Sequence, residues 1–359
     1  MPQLREPVFP SMSRNSSDKR PTLKDLAREA GVSLASASYA VNGTGSVGEQ
    51  TRAHILEVAQ RIGYRQNLAA RVMKTGRSGN LALVLPDLTN PFFPTLAQAL
   101  FRSARARGYG MFLIDTEGNE ELEHSALSRV SDIGVDGLVW FPIRDKDTSQ
   151  GVLKHMPAVV LDRTVPGFAA VGVDYHDAGR LAARHLLDMG HRRIGIISGP
   201  GDVASMRDRC DGAQALIAAE GELAFRVENA FSVDLEPPVI DALLHSDATA
   251  IFAAADVIAI GVLRHAQARG LQIPRDLSVL GFDDIPLADQ QIPPLSTIEL
   301  PVETIATTAV EALLAQLEAD GPKTLPAMPL VTTNLVERRT VAAPSDGAGS
   351  STEHPASRP

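Results

Sequence analysis

The segment SLASASYAVNG, residues 33–43, combines helical spacing with small, partly polar side chains. A helix that only packs into a core normally carries more Leu, Ile or Val than this one. Small side chains on an outward face let a helix approach base edges in the major groove of DNA. The segment therefore indicates a helix that contacts a macromolecule.

Residue spacings typical of enzymes are missing from the sequence. It contains no GxGxxG, GxxxxGKS/T or GxSxG motif, and its nine histidines show no HExxH or CxxC-type metal spacing. Cys210 is the single cysteine, which excludes an internal disulfide framework and fits a reducing cytoplasm. We therefore expect no enzymatic activity, no metal and no cofactor.

Charge is divided unevenly along the chain of 359 residues. Residues 1–80 hold 12 Lys and Arg against 6 Asp and Glu, a balance of +6, whereas the remainder carries −15. This asymmetry predicts that a basic N-terminal module meets a polyanion, with an unevenly charged solvated surface as the alternative. No apolar run is long enough for a membrane span, and the N-terminus lacks the apolar region of a secretory signal. We expect a cytoplasmic protein without a membrane partner.

Short helices surround the segment 33–43. Thr22 and Asp25 are spaced as a capping box for the helix TLKDLAREAG, and Ser33 begins the next helix after a tight turn. Two short helices joined in this way predict a helix-turn-helix. The spacing places Ala37, Ala40 and Val41 on its core and turns the following residues outward: Leu34, Ala35, Ser38 and Tyr39. A third helix ends at Gly63, and a fourth, only about two turns long, begins at Asn67.

Beyond the Gly-punctuated linker TGRSGN, residues 75–80, the pattern changes. The apolar runs LALVLPD, YGMFLID, DGLVWFP and PAVVLDR alternate with helical segments, and the rhythm restarts at AGRLAARHLLDMG. This alternation predicts two α/β units in tandem, each a parallel sheet covered by helices on both faces. Ligands bind between such units, outside the carboxyl ends of the strands.

The motifs TLKDLAREAGVSLASASYAVNG, EQTRAHILEVAQRIGYRQNLAARVMK, LVLPDLTNPFF, VVLDR, GHRRIGIISGP and SVLGFDD resemble those of lactose-repressor-type (LacI/GalR) transcription regulators. The resemblance covers roughly residues 21–341. It implies an all-α helix-turn-helix domain followed by a periplasmic-binding-protein-like core of two doubly wound parallel-sheet subdomains. It also implies a regulator that binds a pseudopalindromic double-stranded operator as a homodimer, acts as a repressor and responds to a small molecule.

Residues 1–20 are rich in Ser, Pro and Arg without periodicity, and residues 343–359 are similar, so we expect a disordered extension and a disordered tail there. The resemblance implies the boundaries in between, with a DNA-binding domain at 21–66 and a hinge helix and linker at 67–79. The core at 80–342 divides into an N-subdomain, 80–173 plus 297–333, and a C-subdomain, 174–296 plus 334–342. The tail carries no leucine heptad, which favours a dimer over a tetramer.

In the resemblance, positions 34, 35 and 39 contact bases, where many members carry long hydrogen-bonding side chains. Leu34 and Ala35 offer only apolar contact and Tyr39 offers one hydroxyl, so operator choice is expected to depend on apolar contacts and DNA shape. Met73 takes the place of the leucine that wedges into the minor groove. The full DNA-contact set is Thr22, Ser33, Leu34, Ala35, Ser36, Ser38, Tyr39, Asn42, Asn67, Ala70, Arg71, Met73 and Lys74.

The effector cleft is assigned by the same resemblance to Asn90, Phe92, Phe93, Asp162, Arg209 and Asp283. An Arg that donates in a fork and an Asp that accepts suit the vicinal hydroxyls of a sugar, whose apolar ring face can rest on Phe. The same pair could hold a purine or nucleoside, so a metabolite-sensing co-repressor-type regulator stays open. An architectural DNA-binding protein is the third interpretation.

Overall fold

The structure is a computed structural model that describes residues 21–65, 76–144, 146–149, 151–154, 156–319 and 330–345. The chain forms two compact units, Met1–Ser78 and Gly79–Pro359. The expected extension at 1–20, the hinge helix at 67–75 and residues 346–359 of the expected tail lie outside the described residues. No helix among the described residues is long and apolar enough to cross a membrane.

The described part of the N-terminal unit holds the helices α1 (Leu23–Glu29), α2 (Leu34–Asn42) and α3 (Glu49–Arg61). The predicted capping box begins α1, because the Asp25 N–H donates to Thr22 Oγ1 and the Thr22 N–H donates to the Asp25 carboxylate. Ser33 caps α2 by accepting from the Ser36 N–H at 3.0 Å. The Ser33 cap begins α2 directly after the tight turn, in which Gly31 has φ +65°, and this arrangement confirms the predicted helix-turn-helix.

A small apolar core holds the three helices together. Its buried side chains are Leu26, Ala27, Ala30, Ala37, Ala40, Ile55, Val58 and Ala59. From α2 this core takes only alanines, with Val41 packed at its edge. The helical spacing predicted this inward face of α2. The opposite face of α2 does not pack into this core.

The second unit contains two six-stranded sheets within the described residues. The strands of the first, in spatial order, are β11 (Leu330–Val331), β5 (Ala169–Val173), β4 (Ala158–Leu161), β3 (Gly137–Trp140), β1 (Asn80–Leu85) and β2 (Gly110–Asp115). The strands of the second are β12 (Asn334–Val336), β10 (Ser296–Glu299), β9 (Ser278–Asp283), β8 (Ala250–Ala253), β6 (Arg193–Ser198) and β7 (Glu222–Glu228). All neighbours pair in parallel except β12, which runs antiparallel to β10.

The connecting helices are α4 (Phe92–Ala106), α5 (Glu120–Ile133), α6 (Tyr175–Asp188), α7 (Ala204–Glu220), α8 (Pro237–His245), α9 (Asp256–Ala268), α10 (Pro286–Asp289) and α11 (Val302–Glu318). Strands β1, β3, β4, β8 and β9 are buried almost throughout, as expected for parallel sheets covered on both faces. The predicted fold class is confirmed. We call the unit around the first sheet lobe 1 and the unit around the second sheet lobe 2.

The chain passes between the lobes three times in the described residues. The first passage follows β5, and the third lies between β11 and β12. The second corrects the expected boundary at 296/297, because β10 pairs with β9 through Glu299 and the chain leaves lobe 2 only before α11. Ser345 still contacts lobe 2, beyond the expected boundary at 342/343, since its Oγ donates to the Arg275 carbonyl at 3.1 Å.

Helices α6 and α7 approach each other so closely that glycine is required at both contacts. A Cβ at Gly179 would lie 1.8 Å from the carbonyl oxygen of Arg209, and one at Gly212 would lie 1.9 Å from the carbonyl oxygen of His176. Since neither position has room for a methyl group, backbone packs directly on backbone. This contact fixes the depth at which α7 presents the Arg209 side chain.

We predict that Gly179→Ala lowers the free energy of unfolding by about 1–3 kcal/mol, because the added methyl group must push α7 away. Helix propensity alone would raise it by up to about 1 kcal/mol, so the sign decides between the two effects. Urea unfolding followed by circular dichroism measures the difference. Ala215→Leu, which adds volume on the exposed face of α7, is the control and is expected to change stability little. A stabilised Gly179→Ala variant would contradict the packing argument.

Candidate functional site

The outward face of α2 carries exposed apolar and aromatic side chains. Leu34 is 45% exposed and Tyr39 is 42% exposed, and Ala35 lies beside them on the surface. Ser38, also expected on this face, is half-buried, and its Oγ accepts from the exposed Asn42 side chain at 3.1 Å.

The Tyr39 ring rests on the backbone of the loop after α2. A Cβ at Gly45 would lie 2.7–2.9 Å from three ring carbons, and Gly45 has φ +71°, a conformation that favours glycine. Sequence reasoning missed this residue, because a loop glycine is an ordinary turn signal. In the structure, the ring of Tyr39, the one long polar side chain of this face, lies on Gly45.

The remaining residues of the expected DNA-contact set divide into caps and a hinge. Thr22 and Ser33 act as helix caps, and Ser36 Oγ lies 2.9 Å from Ser33 Oγ. Asn42 donates to the Ser38 carbonyl at 2.6 Å. The hinge set, Asn67, Ala70, Arg71, Met73 and Lys74, lies outside the described residues.

A cavity of about 350 Å³ lies between the two lobes, at the carboxyl ends of their strands. This is where ligands bind in open α/β sheets. The structure brings all six residues of the expected effector set to its lining: Asn90, Phe92, Phe93, Asp162, Arg209 and Asp283. Asn90, Phe92 and Phe93 follow β1, Asp162 follows β4, and Asp283 ends β9.

Arg209 lies at the floor of the cavity with its side chain only 3% exposed. Its Nη1 is 3.3 Å from Asp283 Oδ1 and donates to the Ala254 carbonyl at 2.7 Å, while Nε donates to the Ser205 carbonyl at 3.1 Å. The guanidinium carbon is 3.8 Å from the centre of the Phe282 ring and 4.6 Å from that of Tyr175. The charge is thus held by a carboxylate, two carbonyls and two aromatic faces.

Asp283 and Asp162 both adopt positive φ, +113° and +67°. Non-glycine residues in this region are uncommon and cluster at functional sites. Burial raises the pKa of Asp283 to about 7, which the Arg209 charge opposes and the Asp162 charge reinforces. The cavity floor therefore contains a carboxyl group that titrates near neutral pH.

Asp162 and Arg163 form a second buried pair at the end of β4. Arg163 Nη1 donates to Asp162 Oδ2 and reaches Ser205 Oγ of lobe 2 at 3.4 Å. The other Asp162 oxygen, Oδ1, is buried and forms no hydrogen bond with a described residue. A buried acceptor without a donor is costly, so this atom favours a ligand that supplies one.

An aromatic wall closes the lobe 1 side of the cavity. Phe92, Phe93 and Phe141 pack edge to face, with ring centres 5.0–6.4 Å apart. Asn90 is buried beside them and accepts from the Phe92 N–H at 3.1 Å, which fixes the start of α4. The wall offers apolar surface next to the polar floor, the combination found in small-molecule sites.

The loop after β3 lines the cavity with Phe141, Ile143 and Arg144. Buried Glu123 accepts from Trp140 Nε1 at 3.0 Å, from the Ile143 N–H at 2.9 Å and from Thr148 Oγ1 at 2.6 Å, so it ties down both ends of this loop. Arg144, on the loop, pairs with Glu120 at 2.6 Å and with Asp202 of lobe 2. Arg144 therefore links the two lobes through an ion pair.

Beneath the floor, Asp256 is fully buried and braces lobe 2. It accepts from Thr297 Oγ1 at 2.7 Å and from the Ile285 N–H at 2.9 Å, and burial raises its pKa well above the usual range. Gly281 allows this approach, because a Cβ there would lie 2.1 Å from Asp256 Oδ1. Ala255, beside it, is buried and contributes no polar group.

The described residues give little support for metal binding or for a reactive cysteine. No group of three His, Cys, Asp or Glu side chains among them could hold a metal ion. Cys210 is buried, and burial raises the pKa of its thiol, which disfavours the reactive thiolate.

The chain was compared with known proteins. Residues 22–67 match the family described as "Bacterial regulatory proteins, lacI family", and residues 183–341 match "Periplasmic binding protein-like domain". The ribose operon repressor of Halalkalibacterium halodurans is 32% identical over 304 residues, which cover 83% of this chain and 90% of that protein. The chain belongs to the lacI family of bacterial regulatory proteins. It is a DNA-binding transcriptional regulator.

Solved structures agree with this membership. The lac repressor dimer bound to operator and the anti-inducer ONPF is similar with a TM-score of 0.77 at 25% identity, over 90% of this chain and 100% of that one. A LacI family regulator from Enterococcus faecium with bound ribose has a TM-score of 0.66 at 25% identity, over 74% and 99% of the two chains.

Sequence reasoning missed much of the regulator's cavity lining. The additional residues are Pro86, Asp87, Gly118, Phe141, Ile143, Arg144, Arg163, Tyr175, Pro200, Asp202, Val203, Ser205, Met206, Phe231 and Leu300. Several directly follow strands, so the rule that sites lie at the carboxyl ends of strands could have found Phe141 and Pro200. Tyr175 and Ser205 lie in the first turns of helices and gave no comparable signal.

The titration of Asp283 makes stability depend on pH. Because its pKa is raised to about 7 in the folded regulator, folding favours the protonated form, and the free energy of unfolding falls as pH rises from about 4 to about 7. The slope from one such group is at most about 1.4 kcal/mol per pH unit. We predict that Asp283→Asn removes this part of the slope, as measured by urea unfolding at a series of pH values.

His185 and His191, whose pKa values burial lowers, contribute with the opposite sign and cancel in the comparison of variant with wild type. Asp256 contributes with the same sign as Asp283, and since the Asp283 charge helps to raise the pKa of Asp256, Asp283→Asn reduces that contribution as well. A variant whose slope equals that of the wild type between pH 4 and 7 would show that Asp283 is ionised normally.

Proposed function

We propose that this protein is a repressor that binds a two-fold symmetric operator as a homodimer and senses a sugar in the cavity between its lobes. The observation that carries the proposal is the Arg209–Asp283 pair beside an aromatic wall in one small cavity. Forked donors next to carboxylate acceptors match vicinal hydroxyls, and phenylalanine faces match the apolar face of a sugar ring.

The relatives support the same ligand class. One is named as a ribose operon repressor, and solved relatives are described as complexes with ribose and with cellobiose. A purine or nucleoside, which the same Arg and Asp could hold, is the competing ligand.

The proposed DNA contacts are those of the exposed face of α2. Leu34 and Ala35 can contact thymine methyl groups but cannot donate or accept hydrogen bonds through their side chains. Tyr39 can make one hydrogen bond and cannot form the bidentate contact that an Arg makes with guanine. With so few directional groups, operator preference is proposed to come from apolar contact, from DNA shape and from the hinge residues, Met73 among them.

A homodimer follows from the operator geometry. A single recognition helix reads only a half-site, and two-fold operators require two such helices about one DNA turn apart. The lac repressor relative is described as a dimer bound to operator. We therefore propose that two copies of this chain present their α2 helices to successive major grooves.

Selection of duplexes from a random pool by the purified protein tests the DNA-binding proposal. We predict an enriched site with two inverted half-sites, and a loss of only about two- to tenfold in affinity for Tyr39→Phe, the worth of one hydrogen bond. Leu56→Ala, an exposed change on α3, is the control and is expected to bind normally. All affinities are measured at one salt concentration.

Two results would contradict this account of recognition. Enrichment of sites without two-fold symmetry would exclude recognition of the operator by a symmetric homodimer. A loss above about hundredfold for Tyr39→Phe that is confined to one G·C pair would show a hydrogen-bond code of the kind an Arg provides.

A further inference from the structure

Two glycines fold the loop after α2 back against Tyr39. The Tyr39 carbonyl accepts from the N–H of Gly43 and, at 3.1 Å, from the N–H of Thr44. Gly43 and Gly45 have φ +68° and +71°, in the left-handed region that favours glycine. These hydrogen bonds and turns place Gly45 beside the Tyr39 side chain.

Helix α3 holds the start of the same loop. Arg52 of α3 donates from Nη1 to the Ala40 carbonyl at 3.4 Å, and a Cβ at Gly43 would lie 3.9 Å from that nitrogen. The loop is thus attached to α2 through the carbonyl of Tyr39 and lies against α3 through Arg52. Gly45 therefore belongs to a segment that the rest of the domain holds in place.

The Tyr39 ring lies with one face on Gly45. A Cβ at Gly45 would lie 2.7 Å from Cγ of the ring, 2.8 Å from Cδ2 and 2.9 Å from Cδ1. Three nearly equal distances put this point above the face of the ring rather than at its edge. Cγ is bonded to the Tyr39 Cβ, so moving only the far end of the side chain could not relieve such a clash. Tyr39 would have to leave its rotamer, or the loop would have to shift.

This contact gives the Tyr39 side chain a direction before it meets DNA. One face of the ring is on the loop, and 42% of the residue remains exposed. Ordering a mobile side chain on binding lowers affinity by about two- to tenfold. A ring that is already held against the loop avoids this loss, and its direction determines which base pair it can reach.

We propose that Gly45 is a positioning residue for operator recognition, because it sets the direction of Tyr39 and thereby the base pair that Tyr39 contacts. The proposal rests on the DNA contact of Tyr39 proposed above and extends it to a residue that has no side chain of its own. A methyl group at position 45 would then alter base preference. A residue that only stabilised the fold would alter the affinity for all duplexes alike.

The base preference of the full-length protein tests the proposal. Duplexes are selected from a random pool by the wild type, by Gly45→Ala and by Tyr39→Ala at one salt concentration. We expect Gly45→Ala to change the preference at the half-site position where Tyr39→Ala loses it, and at no other. Gly43→Ala is the matched control and is expected to keep the wild-type preference. It adds a methyl group at a similar positive φ in the same loop, 3.9 Å from Arg52 Nη1 and away from the Tyr39 ring.

A double-mutant cycle separates positioning from backbone strain. Affinities for the duplex that the wild type selects are measured by fluorescence anisotropy for Gly45→Ala, for Tyr39→Ala and for the two combined. Gly45→Ala is expected to lower the wild-type affinity by about three- to tenfold, but the affinity of Tyr39→Ala by less than about twofold. Gly45→Asn, which carries a Cβ and tolerates positive φ, replaces Gly45→Ala if the latter does not fold.

The outcomes separate this inference from the function on which it rests. If Tyr39→Ala binds and selects duplexes as the wild type does, the proposed Tyr39 contact fails and the inference with it. If Tyr39→Ala alters the preference but Gly45→Ala does not, or lowers affinity equally in both backgrounds, only the inference is overturned. Selection of a site without two-fold symmetry overturns the homodimer and leaves this test in force, because preference is measured at each base pair.

Discussion

A buried guanidinium that requires a carboxylate beside it constrains the whole core of this regulator. Arg209 cannot lose its charge, and a buried ion pair with one partner removed typically costs about 3–5 kcal/mol. Asp283, at the end of β9 with positive φ, supplies this carboxylate, and the rings of Tyr175 and Phe282 flank the guanidinium. The backbone contact at Gly179 fixes the helix that carries Arg209.

Polar contacts between side chains also join the two lobes at this cavity. Asp162 and Arg163 come from lobe 1, and Arg163 reaches Ser205 on the helix that also carries Arg209. Arg144 of lobe 1, which also lines the cavity, pairs with Asp202 of lobe 2. Groups of both lobes thus line one cavity. A ligand that contacted both would favour one arrangement of the lobes over another, which is the physical basis of the proposed control by a small molecule.

The sequence predicted the secondary structure around the sites better than the full set of residues that line the cavity. Caps, glycine stops and the spacing of alanines were enough to predict α1 and α2, because these signals act over a few residues. The six expected cavity residues came from family motifs and lie together in the structure, whereas Tyr175, Ser205 and Arg144 were missed. Their position depends on packing between distant segments, such as the α6–α7 contact, which has no local pattern in the sequence.

The end of β10 shows the same limit. The chain remains in lobe 2 through Glu299 because β10 pairs with β9. This pairing joins segments that are distant in the sequence, so periodicity within either segment could not predict it.

The central claim is that a ligand held by the Arg209–Asp283 pair controls operator binding. The most direct measurement is the ratio of operator affinities with and without the sugar that best stabilises the protein, obtained by fluorescence anisotropy at fixed salt. We expect the sugar to change the wild-type affinity by about tenfold or more, within the usual range of allosteric coupling. The same response is expected in the surface variant Asp132→Asn, and no response in Asp283→Asn. An undiminished response in Asp283→Asn would contradict the claim.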